Sequence, residues 1–378
     1  LQARQAHNMS NSRKLMMGAA GSSGGGGAEL YGWGRNYNNA VGNNSDDSVS
    51  APVQIGDDVS DWANTFYGPY GAWAVTDSYK LYGWGSNSNG RLGLGDTATR
   101  SVPTQVGSLT NWARAITTVV YGTLAVKTDG TAWSWGSGGN GQNGRGNTTA
   151  VSSPIQIGSL TTWESLNGGY GVLGITTGGT LFGWGSNNYG QTGSGDTTER
   201  SSPVQVGALT TWHTASIYGE HAICRLDNGT LYAMGRNVNG RLGDGSTTNR
   251  SSPVQIGSLT TWVTVRAGSF HSGGIASNGT LWMWGANNKG QLGTGNTTEV
   301  SSPVQVGSDT NWSKIELGSE ATIALRTDGT LWTWGEARYG ALGDGSTTDK
   351  SSPVQIGSDT DWTEIAMIDQ NGFAIKGG

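Results

Sequence analysis

The sequence is short of cysteine, of charge and of long apolar runs, and each shortage excludes a class of protein. Cys224 is the single cysteine in 378 residues, so no disulfide can form within the chain. No apolar run approaches the roughly 18 residues that a membrane span requires, so we expect no membrane-spanning segment. Charged residues are only 13% of the chain, the net charge is −5, and Lys and Arg form no cluster. Because nucleic-acid binding needs clustered positive charge, we expect no nucleic-acid partner.

Glycine and tryptophan are abundant instead. The chain contains 65 Gly and 17 Trp but only 4 Phe, a composition typical of turns and aromatic strands rather than helices. The composition does not change after residue 29. We therefore predict one domain, residues 30–378, preceded by an arm of residues 1–29 that contains a flexible glycine-rich tether.

A repeat of 49 to 51 residues runs through this domain. The glycine that closes each segment of the type LWTWG marks seven copies: Gly34, Gly85, Gly136, Gly185, Gly235, Gly285 and Gly335. Seven of the eight prolines, each in a segment of the type SPVQIG, follow the same step. Seven equal units in one domain indicate a repeat architecture in which every unit packs only against its neighbours.

Each repeat contains four short strand patterns. In IALRTDGTLWTWG, two alternating runs flank Asp328-Gly329, a dipeptide that favours a type I′ hairpin turn. The PVQIG run and the run that begins at the following tryptophan supply two further strands. Helical repeats would need an apolar period of 3.6 residues, which is absent. The sequence therefore predicts an all-β, seven-bladed propeller with four-stranded antiparallel blades.

The two ends of the chain complete one blade. Gly377 and Gly378 stand where the other repeats turn into a further strand, while the first LYGWG segment has no hairpin partner before it. We predict that residues 30–34 pair with residues 372–376 and close the ring, which leaves no free sheet edge at the seam. The two aromatic positions of each LYGWG segment are expected to pack between blades, and Cys224 to be a small core residue.

The segment LWMWGANNKGQLGTGNTTEVSSPVQIG, residues 281–307, resembles the repeat of the regulator of chromosome condensation family. The resemblance covers residues 30–376 and implies a seven-bladed propeller. Members of this family include guanine-nucleotide exchange factors with a basic tail, which residues 1–29 lack, and plant UV-B receptors with GWRHT motifs, which do not occur here. Bacterial β-lactamase inhibitors of the family bind an enzyme through aromatic loops, and that comparison remains open.

The segment MSNSRKLMMGAAGSSGGGG, residues 9–27, resembles the openings of structural proteins of marine tailed phages. This likeness implies that residues 1–27 anchor the propeller to other virion proteins. A disordered tail is the alternative interpretation of the same residues.

Catalysis needs convergent reactive groups, and the sequence does not assemble them. His221 and His271 occupy equivalent positions in two repeats, with no evident carboxylate partner, and we interpret them as structural or loop residues rather than metal ligands. Loops of the type GDGSTT offer one carboxylate each, which turn hydrogen bonding explains better than calcium binding. We therefore expect no enzyme activity, no metal and no cofactor.

The loops that enter the second strand of each blade vary more than the rest of the repeat, and they are rich in aromatic residues. The candidate binding residues in these loops and at their ends are Tyr67, Tyr70, Trp73, Tyr121, Tyr170, Tyr218, His221, Phe270 and His271. One interpretation is an aromatic crescent around one mouth of the ring, suited to contact with a protein or a glycan. In the other, several of the rings plug the channel.

These observations predict a non-enzymatic structural or interaction propeller. We expect a phage virion protein, in the tail, a fibre or the decoration of the particle, whose partners are other virion proteins and a protein or glycan of the host surface. The alternative is a soluble bacterial protein-binding or inhibitor propeller, extracellular or cytoplasmic, that acts through the aromatic loops.

Overall fold

The computed structural model of the protein describes residues 28–56, 58–59, 61–68, 71–117 and 122–377, which form a ring of four-stranded antiparallel sheets. Seven such sheets occur in this part of the chain, so the predicted seven-bladed propeller is confirmed. The predicted arm, residues 1–27, lies outside the described residues. None of the described helices has the length and apolar character needed to cross a bilayer.

The strands are numbered in chain order, and each blade contributes one strand at each of four positions from the channel outward. The inner strands are β3 Trp62–Gly68, β7 Trp112–Thr117, β11 Trp163–Gly168, β15 Trp212–Tyr218, β19 Trp262–Ala267, β23 Trp312–Leu317 and β27 Trp362–Ile368. The second strands are β4 Gly71–Thr76, β8 Gly122–Lys127, β12 Gly171–Thr176, β16 His221–Leu226, β20 His271–Ala276, β24 Ala321–Arg326 and β28 Asn371–Lys376.

The third and outer strands complete the blades. The third strands are β1 Glu29–Gly34, β5 Leu81–Gly85, β9 Ala132–Gly136, β13 Leu181–Gly185, β17 Leu231–Gly235, β21 Leu281–Gly285 and β25 Leu331–Gly335. The outer strands are β2 Val49–Ile55, β6 Arg100–Gln105, β10 Val151–Gln156, β14 Arg200–Gln205, β18 Arg250–Ile256, β22 Val300–Gln305 and β26 Lys350–Gln355. Short 3₁₀ turns lie at Tyr37–Asn39, Ser88–Gly90, Val238–Gly240 and Arg338–Gly340. We number the blades from β3, so that blades 1 to 6 are continuous and blade 7 combines β27 and β28 with β1 and β2.

Blade 7 closes the ring as the sequence predicts. Strand β1 pairs antiparallel with β28, with Leu30 opposite Ile375 and Gly34 opposite Asn371. Strand β27 pairs with the other edge of β28 and lies beside β3 of blade 1. The two ends of the chain therefore hold one sheet together, and the stability of the ring depends on both.

The hairpin turns between second and third strands differ from the prediction. Only the glycine of each Asp-Gly or Asn-Gly pair has a positive φ, as at Gly130 with φ +78°, whereas a type I′ turn needs two such residues. The type I′ prediction is wrong because the side chain before the glycine stabilises another turn. The Asp129 carboxylate accepts hydrogen bonds from the Thr131 amide, at 2.9 Å, and from its hydroxyl, at 2.6 Å. The result is a type I turn closed by a left-handed glycine bulge.

Tryptophan side chains fill the space between blades. The tryptophan that begins each inner strand is at most 5% exposed, and the second aromatic position of the third strands is fully buried. Some of these indoles also bond across the blade boundary: Trp135 Nε1 donates to the Arg91 carbonyl at 2.8 Å and Trp284 Nε1 to the Arg241 carbonyl at 3.0 Å. Cys224 is buried in the same core, and its burial raises the pKa of the thiol.

The ring has two faces with different loops. One face, here called the mouth face, carries the turns between inner and second strands and the long loops that follow the third strands. Backbone bonds join these two loop types: the Arg236 amide donates to the Glu220 carbonyl at 2.8 Å, and the Ala286 amide to the Phe270 carbonyl at 3.0 Å. The opposite face, here called the connector face, carries the Asp-Gly turns and the links between blades.

Candidate functional site

The candidate binding residues that the structure describes lie in mouth-face turns or in the strands that flank them, and their environments differ. Tyr70 and Tyr121 lie outside the described residues, as does the side chain of Tyr67. The remaining six separate into buried residues, a residue inside the channel and residues on the rim. Only the last group is exposed enough to contact a partner directly.

Trp73, His221 and His271 are at most 1% exposed, which corrects their assignment as contact residues. Each begins a second strand or lies within it, and its side chain points into the space between blades. His221 Nε2 is 2.8 Å from Ser272 Oγ in the next blade, and His271 Nε2 is 3.1 Å from Thr322 Oγ1. These side chains support the mouth face from beneath rather than form its surface.

The two histidines belong to a hydrogen-bond chain that recurs between blades. Ser272 Oγ donates to the Arg241 carbonyl at 2.8 Å, the same oxygen that accepts from Trp284. Burial, together with the nearby Arg241 guanidinium, lowers the pKa of His271 to about 3 and the pKa of His221 well below its ordinary value. Both imidazoles are therefore neutral at physiological pH, and a buried neutral ring is a structural hydrogen-bonding group.

Tyr218 lies in the channel. It is 9% exposed, and its hydroxyl extends from blade 4 toward Ser269, Ser319 and the backbone of Asp369 in blades 5, 6 and 7. Burial raises the pKa of this phenol. The hydroxyls continue the network: Ser269 and Ser319 Oγ are 3.0 Å apart, and Ser319 donates to Asp369 Oδ1 at 2.8 Å. For Tyr218 the structure therefore favours the plug over the surface crescent.

Deeper in the channel, the inner strands carry charges that are paired between blades. Arg266 Nε of β19 lies 2.7 Å from Glu316 Oε1 of β23, and Lys314 of β23 pairs with Glu364 of β27. These partly exposed pairs contribute little to stability individually, because water screens them. They do satisfy the charges on this part of the channel wall.

Among the candidates whose side chains the structure describes, Tyr170 and Phe270 are the exposed ones, each 38% exposed. The Arg241 guanidinium lies 5.2 Å from the Phe270 ring centroid, and its Nη1 donates to the Ser269 carbonyl at 2.8 Å. This arginine is 2% exposed and holds the Phe270 turn against the neighbouring long loop. An aromatic ring fixed in this way is a rigid contact residue that loses little conformational freedom on binding.

A second exposed group, which the sequence pattern did not reveal, lies on the mouth face in the long loops beside blade 7. It consists of Arg35, Tyr37, Arg338 and Tyr339, here called the seam patch. Tyr37 is 60% exposed and Tyr339 is 38% exposed. The Arg35 guanidinium lies over both rings, 5.3 Å from the Tyr37 centroid and 5.4 Å from that of Tyr339. The loop after each LYGWG segment varies between repeats as much as the turns before the second strands do. That variation is the sequence feature that could have pointed to this group.

Family models agree with the repeat and the fold. The model described as the regulator of chromosome condensation (RCC1) repeat matches residues 80–124, 178–223, 228–275, 278–325 and 328–374, and a second RCC1 repeat model matches residues 262–291 and 312–341. The first matches more than half of the chain. The chain belongs to the RCC1 repeat family.

Individual relatives of this RCC1-type propeller share the fold with limited identity. The human E3 ubiquitin-protein ligase HERC2 is 31% identical over 152 residues, which is 36% of this chain but 3% of the ligase. The structure of human WBSCR16 superposes with a TM-score of 0.83 at 19% identity, over 92% of this chain and 98% of that one. The structure of yeast RCC1 (Prp20), solved bound to Kap60, superposes with a TM-score of 0.83 at 17% identity, over 93% of this chain and 89% of that one. At these identities the structures establish the fold alone.

The GDGSTT loops of the RCC1 repeats hold their carboxylates in hydrogen bonds. Asp244 Oδ1 accepts from Asn237 Nδ2 at 3.0 Å and from Ser246 Oγ at 2.8 Å, and Oδ2 accepts from Arg250 Nε at 2.9 Å. The loop is a turn closed by its own side chains, which is the interpretation given above. Within the ranges that the structure covers, no three His, Cys, Asp or Glu side chains converge as a metal site would require.

Proposed function

We propose that this chain is a non-enzymatic, protein-binding propeller that contacts its partner through the mouth face. The observation that carries the proposal is the exposure of Tyr37, Tyr170, Phe270 and Tyr339, between 38% and 60%, on one face of the ring. Tyrosine and arginine are enriched at the energetic centres of protein interfaces, and here arginines stack on three of these rings.

The shape of the mouth face also supports a protein rather than a small molecule as the ligand. Small-molecule sites are concave and enclose most of their ligand. Here the Tyr218 side chain extends from blade 4 toward Ser269 and Ser319 on the mouth face, and is itself largely buried. Protein binding is also the role that RCC1-type propellers support, since the yeast relative was solved bound to Kap60.

Affinity capture from an extract of the source organism tests the proposal. The full chain serves as bait and is compared with a Tyr170→Ala, Phe270→Ala variant. A Leu209→Ala, Leu259→Ala variant is the matched control, because both leucines are 44% exposed but lie on the connector face. We expect the control to retain the partner and the mouth-face variant to lose at least about tenfold in recovery, the usual effect of removing two contact aromatics. Loss only in the connector-face variant would contradict the proposal.

We further propose a virion setting, in which residues 1–27 attach the propeller to other virion proteins and the mouth face contacts a host-surface protein or glycan. The support is the sequence of the arm, a polar segment followed by a glycine tether. Light scattering with size-exclusion chromatography compares the full chain with a variant that lacks residues 1–27. An assembly that becomes a monomer on truncation supports this setting. Two monomers favour instead a soluble bacterial propeller, extracellular or cytoplasmic.

A further inference from the structure

The seam patch contains two guanidinium groups that share one aromatic ring. The Cζ atom of Arg338 lies 4.8 Å from the Tyr339 ring centroid, and that of Arg35 lies 5.4 Å from it. Arg338 is exposed and Arg35 is half-buried. Two like charges held at one ring create a local positive potential that an anion from outside would relieve.

Neither arginine has a carboxylate partner among the residues that the structure describes. This distinguishes them from the arginines that begin outer strands, which do have one within their own loop: Arg100 with Asp96, Arg200 with Asp196, and Arg250 with Asp244. Both guanidinium groups instead lie near the same tyrosine ring. The patch has free capacity for charge-assisted hydrogen bonds.

The backbone at Tyr339 gives a second, independent observation. Its φ is +58°, in the left-handed region that aromatic residues rarely adopt. At the same position of the loop, three other repeats are left-handed and carry asparagine: Asn38, Asn89 and Asn239, with φ between 59° and 66°. Asparagine tolerates this conformation better than tyrosine does. A strained tyrosine at an exposed site points to a role in binding rather than in folding.

We propose that the seam patch binds a carboxylate-rich segment of the partner protein; this proposal rests on the function proposed above. The guanidinium groups of Arg35 and Arg338 would form bidentate hydrogen bonds with aspartate or glutamate side chains of the segment. The rings of Tyr37 and Tyr339 would pack against the methylene groups of those side chains. Residues 1–27 of this chain are not a suitable occupant, because they contain three basic residues and no acidic one.

Nucleic acid is also a poorer match than an acidic peptide. The positive surface does not extend beyond the two arginines on this side, since Glu336 lies two positions before Arg338 and accepts from Gln370, whose carbonyl accepts from the Arg35 amide. Asp349 lies beside the same loop, where its side chain is 3.5 Å from Lys289. A polyphosphate chain needs an extended basic surface, whereas a short acidic segment needs only the two arginines.

Fluorescence anisotropy with the full chain and a labelled, glutamate-rich dodecapeptide that contains one tryptophan tests the proposal. We expect saturable binding that weakens as salt is raised, and a loss of at least about tenfold in affinity in Arg35→Ala, Arg338→Ala. The control variant Arg100→Ala, Arg200→Ala removes the same charge from paired positions and should bind as the parent does. No binding to the parent, equal binding to both variants, or tighter binding of an oligothymidylate would overturn the proposal.

The Tyr339→Asn variant separates binding from folding. We expect its melting temperature to be unchanged or higher, because asparagine relieves the left-handed strain, while its affinity for the peptide drops several-fold. A purely structural tyrosine would show the opposite pattern, a lower melting temperature with unchanged peptide affinity, and that result would refute the inference. These experiments leave Tyr170 and Phe270 intact, so failure here and failure of the capture experiment are distinguishable.

Discussion

The buried histidines make the stability of the propeller depend on pH in a way that two substitutions can isolate. His221 and His271 are fully buried, and their pKa values are lowered by burial and by the Arg241 guanidinium. In the unfolded chain each returns to an ordinary pKa of about 6.5. Below that pH the unfolded state binds protons that the folded state does not, so the free energy of unfolding decreases as the pH falls toward the folded pKa.

The magnitude follows from the difference in proton binding. A histidine that stays neutral in the fold costs about 2 kcal/mol of stability at pH 5 relative to pH 7.5, and two of them cost about 4 kcal/mol. The perturbation is the double variant His221→Ala, His271→Ala. Alanine fits these positions, since Ala321 occupies the equivalent place in blade 6. At pH 7.5 the variant should be less stable than the parent, by about 1–3 kcal/mol for the lost bonds to Ser272 and Thr322.

Urea unfolding of both proteins at several pH values between 5 and 7.5 measures the effect. The advantage of the parent in unfolding free energy should fall by about 4 kcal/mol over this range, so that the variant becomes the more stable protein at pH 5. Comparing the two proteins cancels the contributions of the other titratable groups, which both proteins retain. A difference that stays constant from pH 7.5 to pH 5 would refute the claim that these rings are buried and neutral.

Two further predictions concern the ring. Deletion of residues 371–377 removes β28, the strand that joins β1 to β27. We expect this deletion to abolish the cooperative unfolding transition in circular dichroism. A truncated chain with the melting temperature of the parent would contradict closure through blade 7. Trp284→Phe removes the indole hydrogen bond to the Arg241 carbonyl, which still accepts from Ser272. We therefore expect chemical denaturation to show a decrease of only about 1–2 kcal/mol in the free energy of unfolding. A decrease above about 4 kcal/mol would show that the acceptor is not shared.

Most of the fold could be predicted because the same pattern recurs in phase. Seven copies of one strand order leave few arrangements other than a ring, and the unpaired segments at the two ends specify where it closes. The turn type could not be predicted from the dipeptide alone. Asp129 and Thr131 compete for the backbone through their side chains, and two short side-chain bonds outweigh the general preference of Asp-Gly for type I′.

The candidate site was predicted less well, because exposure in a propeller depends on the neighbouring blade. Trp73 and Phe270 are both aromatic residues of mouth-face loops or strand ends, yet one is 1% and the other 38% exposed. Trp73 falls on the strand itself, where the next blade covers it, whereas Phe270 ends a turn just before β20 begins. The alternation of residues in the sequence assigns each side chain to one face of its sheet. Neighbouring blades cover both faces, so side chains are exposed mainly at the ends of the strands.

The seam patch shows a further limit, since its residues come from opposite ends of the chain. Arg35 and Tyr37 follow strand β1, whereas Arg338 and Tyr339 follow strand β25. No local sequence pattern therefore connects the two pairs. Closure of blade 7 against blade 6 places Arg35 over the Tyr339 ring. A ring that failed to close would separate the two halves of the patch, because they belong to different blades. Peptide binding at the patch therefore reports ring closure as well as recognition, and the β28 deletion should abolish it.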